Sequence, residues 1–169
     1  MKTYNIIIPF FLLIIFNSCE KEDEIDNVKP VIDLSIQYAF PVNCDTLYFG
    51  ESFKLKVLFK DNVELGEARA FSIDIHNNFN QHAHSTEVTE CNLDPKKDDD
   101  EYDNPFTFKN SHDIPKGKKE YETNLEISIP SGDSEGDFDE GDYHFFISLA
   151  DKEGWSAQRG LSIKMLHRE

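Results

Sequence analysis

The sequence predicts an all-β chain folded as an antiparallel β-sandwich of about seven strands, preceded by an export signal. Three observations predict it. Apolar residues recur with period two in six separate runs, polar turn residues divide those runs, and no window of comparable length carries a 3.6-residue stripe.

The first run alternates Ile32, Leu34, Ile36 and Tyr38 with polar residues. The second alternates Phe53, Leu55, Val57 and Phe59 with Lys54, Lys56 and Leu58, and Asp61-Asn62 closes it with turn chemistry. In the third, Phe71, Ile73 and Ile75 alternate with Ser72, Asp74 and His76. The fourth carries Leu125, Ile127 and Ile129 and stops at Pro130. Tyr143, Phe145, Ile147 and Leu149 form the fifth, and Leu161, Ile163 and Met165 the sixth. Asp151-Lys152-Glu153-Gly154 joins these two as a hairpin.

Two stretches resist regular assignment. Residues 94–104 (DPKKDDDEYDN) are acidic and flanked by prolines, and read as a mobile insertion. Residues 131–142 (SGDSEGDFDEGD) form an acidic connection. Carboxylate oxygens suit calcium, so calcium at these acidic loops is an alternative, but neither stretch has EF-hand spacing. A solvated, disordered surface is the plainer reading for both.

The phrase GDYHFFISLADKEGW resembles the F–G hairpin of bacterial immunoglobulin-like and fibronectin-type modules. The resemblance implies an immunoglobulin-like or fibronectin-like sandwich, with the six runs lettered A, B, C, E, F and G.

The N-terminus is read separately. Lys2 is followed by an apolar run over residues 6–16, too short for a stable bilayer-spanning helix and suited to a signal-peptide core. Phe16-Asn17-Ser18-Cys19 resembles a bacterial lipobox, in which Cys19 becomes the lipidated first residue. The acidic residues 20–24 look like the export signal of Bacteroidetes surface lipoproteins. Residues 1–18 are thus expected to be a signal peptide, 19–28 an acidic tether, and 29–169 the sandwich domain. An outer-membrane lipoprotein follows, facing the periplasm or, as the acidic residues favour, the cell surface, held by more than one acyl chain. With Cys19 lipidated, Cys44 and Cys91 remain as an even pair in an oxidising compartment, and a disulfide between them is expected.

Cleavage before Cys19 leaves 151 residues, enough for one domain with a core, and loss of Lys2 moves the formal net charge from −16 to −17. Such a chain repels phosphate backbones, which argues against nucleic acid and for a cation as ligand.

The segment HNNFNQHAHST places His76, His82 and His84 within nine positions of a chain with six histidines. On run C the apolar residues are odd-numbered, so His76 points to the outer face, and the same phase on run F turns His144 outward. C and F are antiparallel neighbours in such a sandwich, so the end of C lies beside the start of F. His76 and His144 are then cross-strand neighbours, with Cβ atoms about 5 Å apart. His82 and His84 share a face if extended, and a connection that turns back brings them toward the other two. Imidazoles suit zinc or copper(II), with Asp74 or Asp142 orienting a ring. A polar surface loop is the plain alternative, and His112 and His167 are read as surface residues.

Lys29-Pro30, Asp61-Asn62, IHNNFNQHAHS and GDYHFFISLAD together resemble an uncharacterised family of Bacteroidetes lipoproteins with an immunoglobulin-like fold, over residues 29–166. The resemblance implies that fold and a His-rich segment, but no activity. That segment usually reads NFD followed by histidines, whereas Asn80-Gln81 stand here. The expected function is metal binding by an anchored domain rather than catalysis, since no Ser/His/Asp arrangement or phosphate loop is present. The rival expectation is a surface adhesion module for a protein or glycan partner, using Phe146 and Trp155.

Overall fold

The computed structural model describes residues 26–77, 91–94 and 102–169. Among these residues there are twelve strands and no helix. They are β1 (Val31–Asp33), β2 (Thr46–Tyr48), β3 (Ser52–Leu55), β4 (Leu58–Lys60), β5 (Phe71–Asn77) and β6 (Thr107–His112). Then come β7 (Glu120–Glu122), β8 (Leu125–Ser128), β9 (Gly132–Asp133), β10 (Gly136–Asp137), β11 (Gly141–Ala150) and β12 (Ser156–Leu166).

One layer is the five-stranded sheet β2-β12-β11-β5-β6. The other is built from β1-β4-β7 and β3-β8, which share one register: Ser52 faces Ser128 and Leu58 faces Glu122 at the same offset. Between the two pieces the hydroxyl of buried Thr123 replaces a ladder bond. It accepts from Val57 N at 3.1 Å and donates to Leu55 O at 2.8 Å. The expected immunoglobulin-like β-sandwich is therefore present. All strand pairs are antiparallel except β2, which runs parallel to the end of β12.

Period-two alternation works as the sequence implies. Phe71, Ile73 and Ile75 of β5 and Phe145, Ile147 and Leu149 of β11 bury their side chains between the layers. Phe53 meets Phe145 and Phe59 meets Phe71 across the gap, with ring centroids 6.0 and 4.9 Å apart. Tyr143 closes one end of the core. Its phenol donates to Asp139 O, four residues upstream, at 2.7 Å, which is the tyrosine corner of immunoglobulin-like sandwiches.

Three expectations need correction. The first run is a strand only to Asp33, because the Asp33 carboxylate accepts from both N and Oγ of Ser35 and turns the chain. Tyr38 then adopts a left-handed φ of 62° and is 77 % exposed. β2, β6 and β7 lie outside the six runs, as do β9 and β10 of the acidic connection: β2 and β7 are short, and the alternation of β6 is mostly polar. The acidic connection is not disordered: β9 and β10 pair within it, and Asp133 Oδ1 accepts from Glu135 N and from Asn104 Nδ2.

Candidate metal centre

β5 ends and β11 begins side by side, and the register sets His144 directly opposite His76. Their ring centroids lie 5.5 Å apart, edge to face. Phe146, two residues along β11 on the same face, stacks on His76 at 5.7 Å and presents its edge to His144 at 5.8 Å. Gly160 of β12 makes room for that ring, since a Cβ there would lie 2.4 Å from Phe146 Cε1. Asp74 stands two residues before His76, so strand alternation puts it on the same face, and its Oδ1 lies 2.8 Å from His76 Nδ1. With the proton of a neutral ring held on Nδ1 by that carboxylate, the lone pair sits on Nε2, the nitrogen that can ligate a metal. Lys109 of β6 reaches the other oxygen of Asp74 at 3.6 Å.

The outer face here is not the wet surface that strand phase alone suggests. His144, Phe146 and Ser162 are all buried. Residues Cys91–Asp94 return to this face beside them. The expected disulfide joins Cys44 and Cys91, with Cα atoms 5.2 Å apart. Cys44 N donates to Ser162 O at 2.8 Å, and Ser162 stands opposite His144 on β12. Asp94 N donates to Asp142 Oδ2, and Lys164 Nζ bridges Asp94 at 2.8 Å and Asp142 at 3.3 Å. Asn77, the last residue of β5, faces Tyr143. Asn77 and Cys91, the described residues on either side of positions 78–90, thus both lie near the histidine pair. His82 and His84, within that segment, lie outside the described residues, as does Cys19.

The pair brings two imidazoles and an orienting carboxylate together. The other two histidines among the described residues behave differently from expectation. His112 stacks on Phe71 at 5.0 Å, and burial lowers its pKa below the ordinary value. His167 packs 4.9 Å from Phe49 and places Nε2 2.9 Å from Phe138 O. Both are half-buried against the core and are not simple surface residues. Phe146, expected to be available to a partner, is buried, whereas Trp155 is 43 % exposed.

Of the acidic loops, residues 95–101 lie outside the described set. In the second loop four carboxylates are engaged: Asp133 accepts from Glu135 N, Asp139 Oδ2 from Asn104 N at 2.8 Å and Glu140 from His167 N, and Asp142 pairs with Lys164. Sequence reasoning missed a carboxylate group elsewhere. Asp26, Asp61 and Asp151 converge at the far end of the sandwich. Two of the three stand in segments already recognised as turns, and that is why they attracted no other reading.

A search of curated proteins finds no match to this chain. Residues 17–166 match the model of a domain of unknown function, DUF4625, and the chain belongs to that family.

Proposed function

We propose that the protein is an extracytoplasmic immunoglobulin-like lipoprotein, anchored through Cys19, that binds zinc or copper(II) through His76, His82, His84 and His144. The role is structural, capture or delivery. One observation carries the reading: His144 and His76 stand directly opposite each other on adjacent strands, with rings 5.5 Å apart and Asp74 on His76 Nδ1. The placement of Asn77 and Cys91 near this pair supports a contribution of His82 and His84 to the same ion. Imidazole nitrogens favour zinc and copper(II) over calcium or magnesium. The anchor sits in the outer membrane, with the acidic residues after Cys19 favouring the cell surface. The net charge of −16 keeps nucleic acid away.

The test is calorimetric titration of the full-length chain with Zn²⁺ and Cu²⁺, beside a variant with all four histidines changed to Ala. Tight binding by the wild type alone is expected, with a rise in melting temperature that His144→Ala loses. Equal affinity in both proteins sinks the proposal. A second reading, an interaction module for a protein or glycan, draws on exposed Trp155. It gains if chelation leaves both stability and partner binding unchanged.

A further inference from the structure

The end of the sandwich opposite the histidines gathers three aspartates from distant parts of the chain. Asp26 precedes β1, Asp61 lies in the turn leaving β4, and Asp151 in the turn between β11 and β12. One carboxylate oxygen from each lies within 4.8 Å of the other two. Asp26 and Asp151 are 6 % and 4 % exposed, and Asp61 is half-buried.

Each aspartate spends Oδ1 on its own surroundings. Asp61 Oδ1 accepts from Val63 N at 2.8 Å and Glu64 N at 2.7 Å. Asp151 Oδ1 accepts from Gly154 N at 2.7 Å and Trp155 N at 2.8 Å. Asp26 Oδ1 accepts from Val28 N and Asn62 Nδ2, both at 3.0 Å. The second oxygens are treated quite differently. Oδ2 of all three is shielded from solvent and accepts no hydrogen bond. Among the described residues no Lys or Arg pairs with any of them. The cations nearby are engaged elsewhere, Lys152 with Glu64 and Lys119 with Asn62 O, each at 2.7 Å.

Buried carboxylate oxygens without a donor are costly, and three of like charge in one place are more so. A fold that supplies donors to every Oδ1 and to no Oδ2 lacks a positive charge at their meeting point. We infer that Asp26, Asp61 and Asp151 bind a calcium ion. Oxygens on opposite sides of an ion bonded at about 2.4 Å stand about 4.8 Å apart, so three oxygens no farther than 4.8 Å from one another can share a calcium shell. The ligand set is all oxygen, which selects a hard cation and sets this site apart from the imidazoles at the other end. Asp61, the least buried of the three, leaves a side open for waters to complete the coordination. The ion joins the entry of the chain into the domain to the β4–β5 and β11–β12 connections.

Trp155 makes the site measurable. It is the single tryptophan of the chain, its Nε1 donates to Asp26 O at 3.2 Å, and its backbone N bonds Asp151. The full-length chain, stripped with chelator, is titrated with Tb³⁺ under tryptophan excitation, then with Ca²⁺ or Mg²⁺ as competitor, and its melting temperature is read with and without Ca²⁺. Expected are sensitised Tb³⁺ emission, displacement by Ca²⁺ at about tenfold lower concentration than by Mg²⁺, and a melting temperature raised by Ca²⁺. Asp26→Asn, Asp61→Asn and Asp151→Asn each keep the oxygen that holds the local turn. Each is expected to weaken Ca²⁺ binding by about tenfold or more while leaving the stripped protein as stable as the wild type, or more so, because repulsion is relieved. His76→Ala with His144→Ala keeps the Ca²⁺ response. The inference is overturned if millimolar Ca²⁺ gives neither displacement nor thermal shift, or if the Asn variants bind as wild type does. It is equally overturned if all three Asn variants melt well below the wild type when stripped.

Discussion

A buried phenol braces the start of β11, which carries His144, and Tyr143→Phe removes its hydroxyl without altering the packed ring. Tyr143 is 1 % exposed, donates to Asp139 O at 2.7 Å and accepts from Phe106 N at 3.3 Å. The first bond is short but only part-buried, and the second is longer but fully buried, so the loss is shared between the Asp139 carbonyl and the stranded Phe106 N–H. Leaving a buried partner unsatisfied costs about 1–3 kcal/mol, and about 2 kcal/mol is expected here. That corresponds to a fall in melting temperature of roughly 4–8 °C for a domain of this size. Urea unfolding is the assay, with the midpoint lowered and the m-value unchanged. Alkaline pH supplies an independent check. Burial pushes the Tyr143 phenol well above its ordinary pKa of 10.0, so the folded state keeps the proton that the unfolded chain releases. The phenol's contribution is therefore intact below pH 10 and is lost as pH rises above it, at about 1.4 kcal/mol per pH unit. The gap between wild type and Tyr143→Phe should close from pH 10 upward. A loss below about 0.5 kcal/mol at neutral pH, or a gap that stays constant in alkali, refutes the reasoning.

Gly160→Ala drives a Cβ to within 2.4 Å of the Phe146 ring, an overpacking worth about 1–3 kcal/mol. Because that ring stacks on His76, a weaker Zn²⁺ or Cu²⁺ response is expected with it, and a neutral substitution would show that the ring has room. Cys44→Ser with Cys91→Ser opens a loop of sequence separation 47 and should cost about 4 kcal/mol in urea unfolding, with no added effect of reductant on the variant. His112 is expected to titrate below its ordinary value of 6.5 by proton NMR, since burial disfavours its charged form. Its neutral state then contributes stability above pH 6.5 that is lost as pH falls, and a midpoint at or above 6.5 contradicts this burial.

Strand phase was the most informative signal in the sequence. It located the core faces of β5, β11 and β12, and it set His76 beside His144 from residue parity alone, because side chains alternate strictly along a strand. Counting cysteines was enough for the disulfide. Parity cannot say what covers an outer face, so the burial of His144, Phe146 and Ser162 beside the returning segment Cys91–Asp94 was not foreseen. Nor does alternation recognise side chains that act against it. Asp33 halted the first run by capturing Ser35, and Thr123 bridged a break that apolar patterning had smoothed over. The aspartates were hidden for another reason. An Asp at a turn already has a sufficient local explanation in its Oδ1 bonds, and only three-dimensional convergence reveals that each has a second oxygen to account for.

The two proposed sites stand at opposite ends of β11, His144 near its start and Asp151 just beyond its last residue. Seven residues of extended chain separate them, about 23 Å. That exceeds the Debye length of about 8 Å at physiological salt, and the two ligand sets share no residue. Their energetics should therefore be independent, because coupling fades for sites more than about 7–10 Å apart that have no common partner. Chemistry reinforces the separation, as imidazoles discriminate against calcium and carboxylates without nitrogen ligands hold zinc less selectively. The stabilisation from Ca²⁺ and that from Zn²⁺ or Cu²⁺ should add when both are supplied, measured as ΔG of unfolding in urea. Each increment should vanish only with its own ligands, Asp151→Asn for one and His144→Ala for the other. Strong non-additivity would mean that β11 does not act as a rigid spacer, or that a single ion, moving between ligand sets, accounts for both effects.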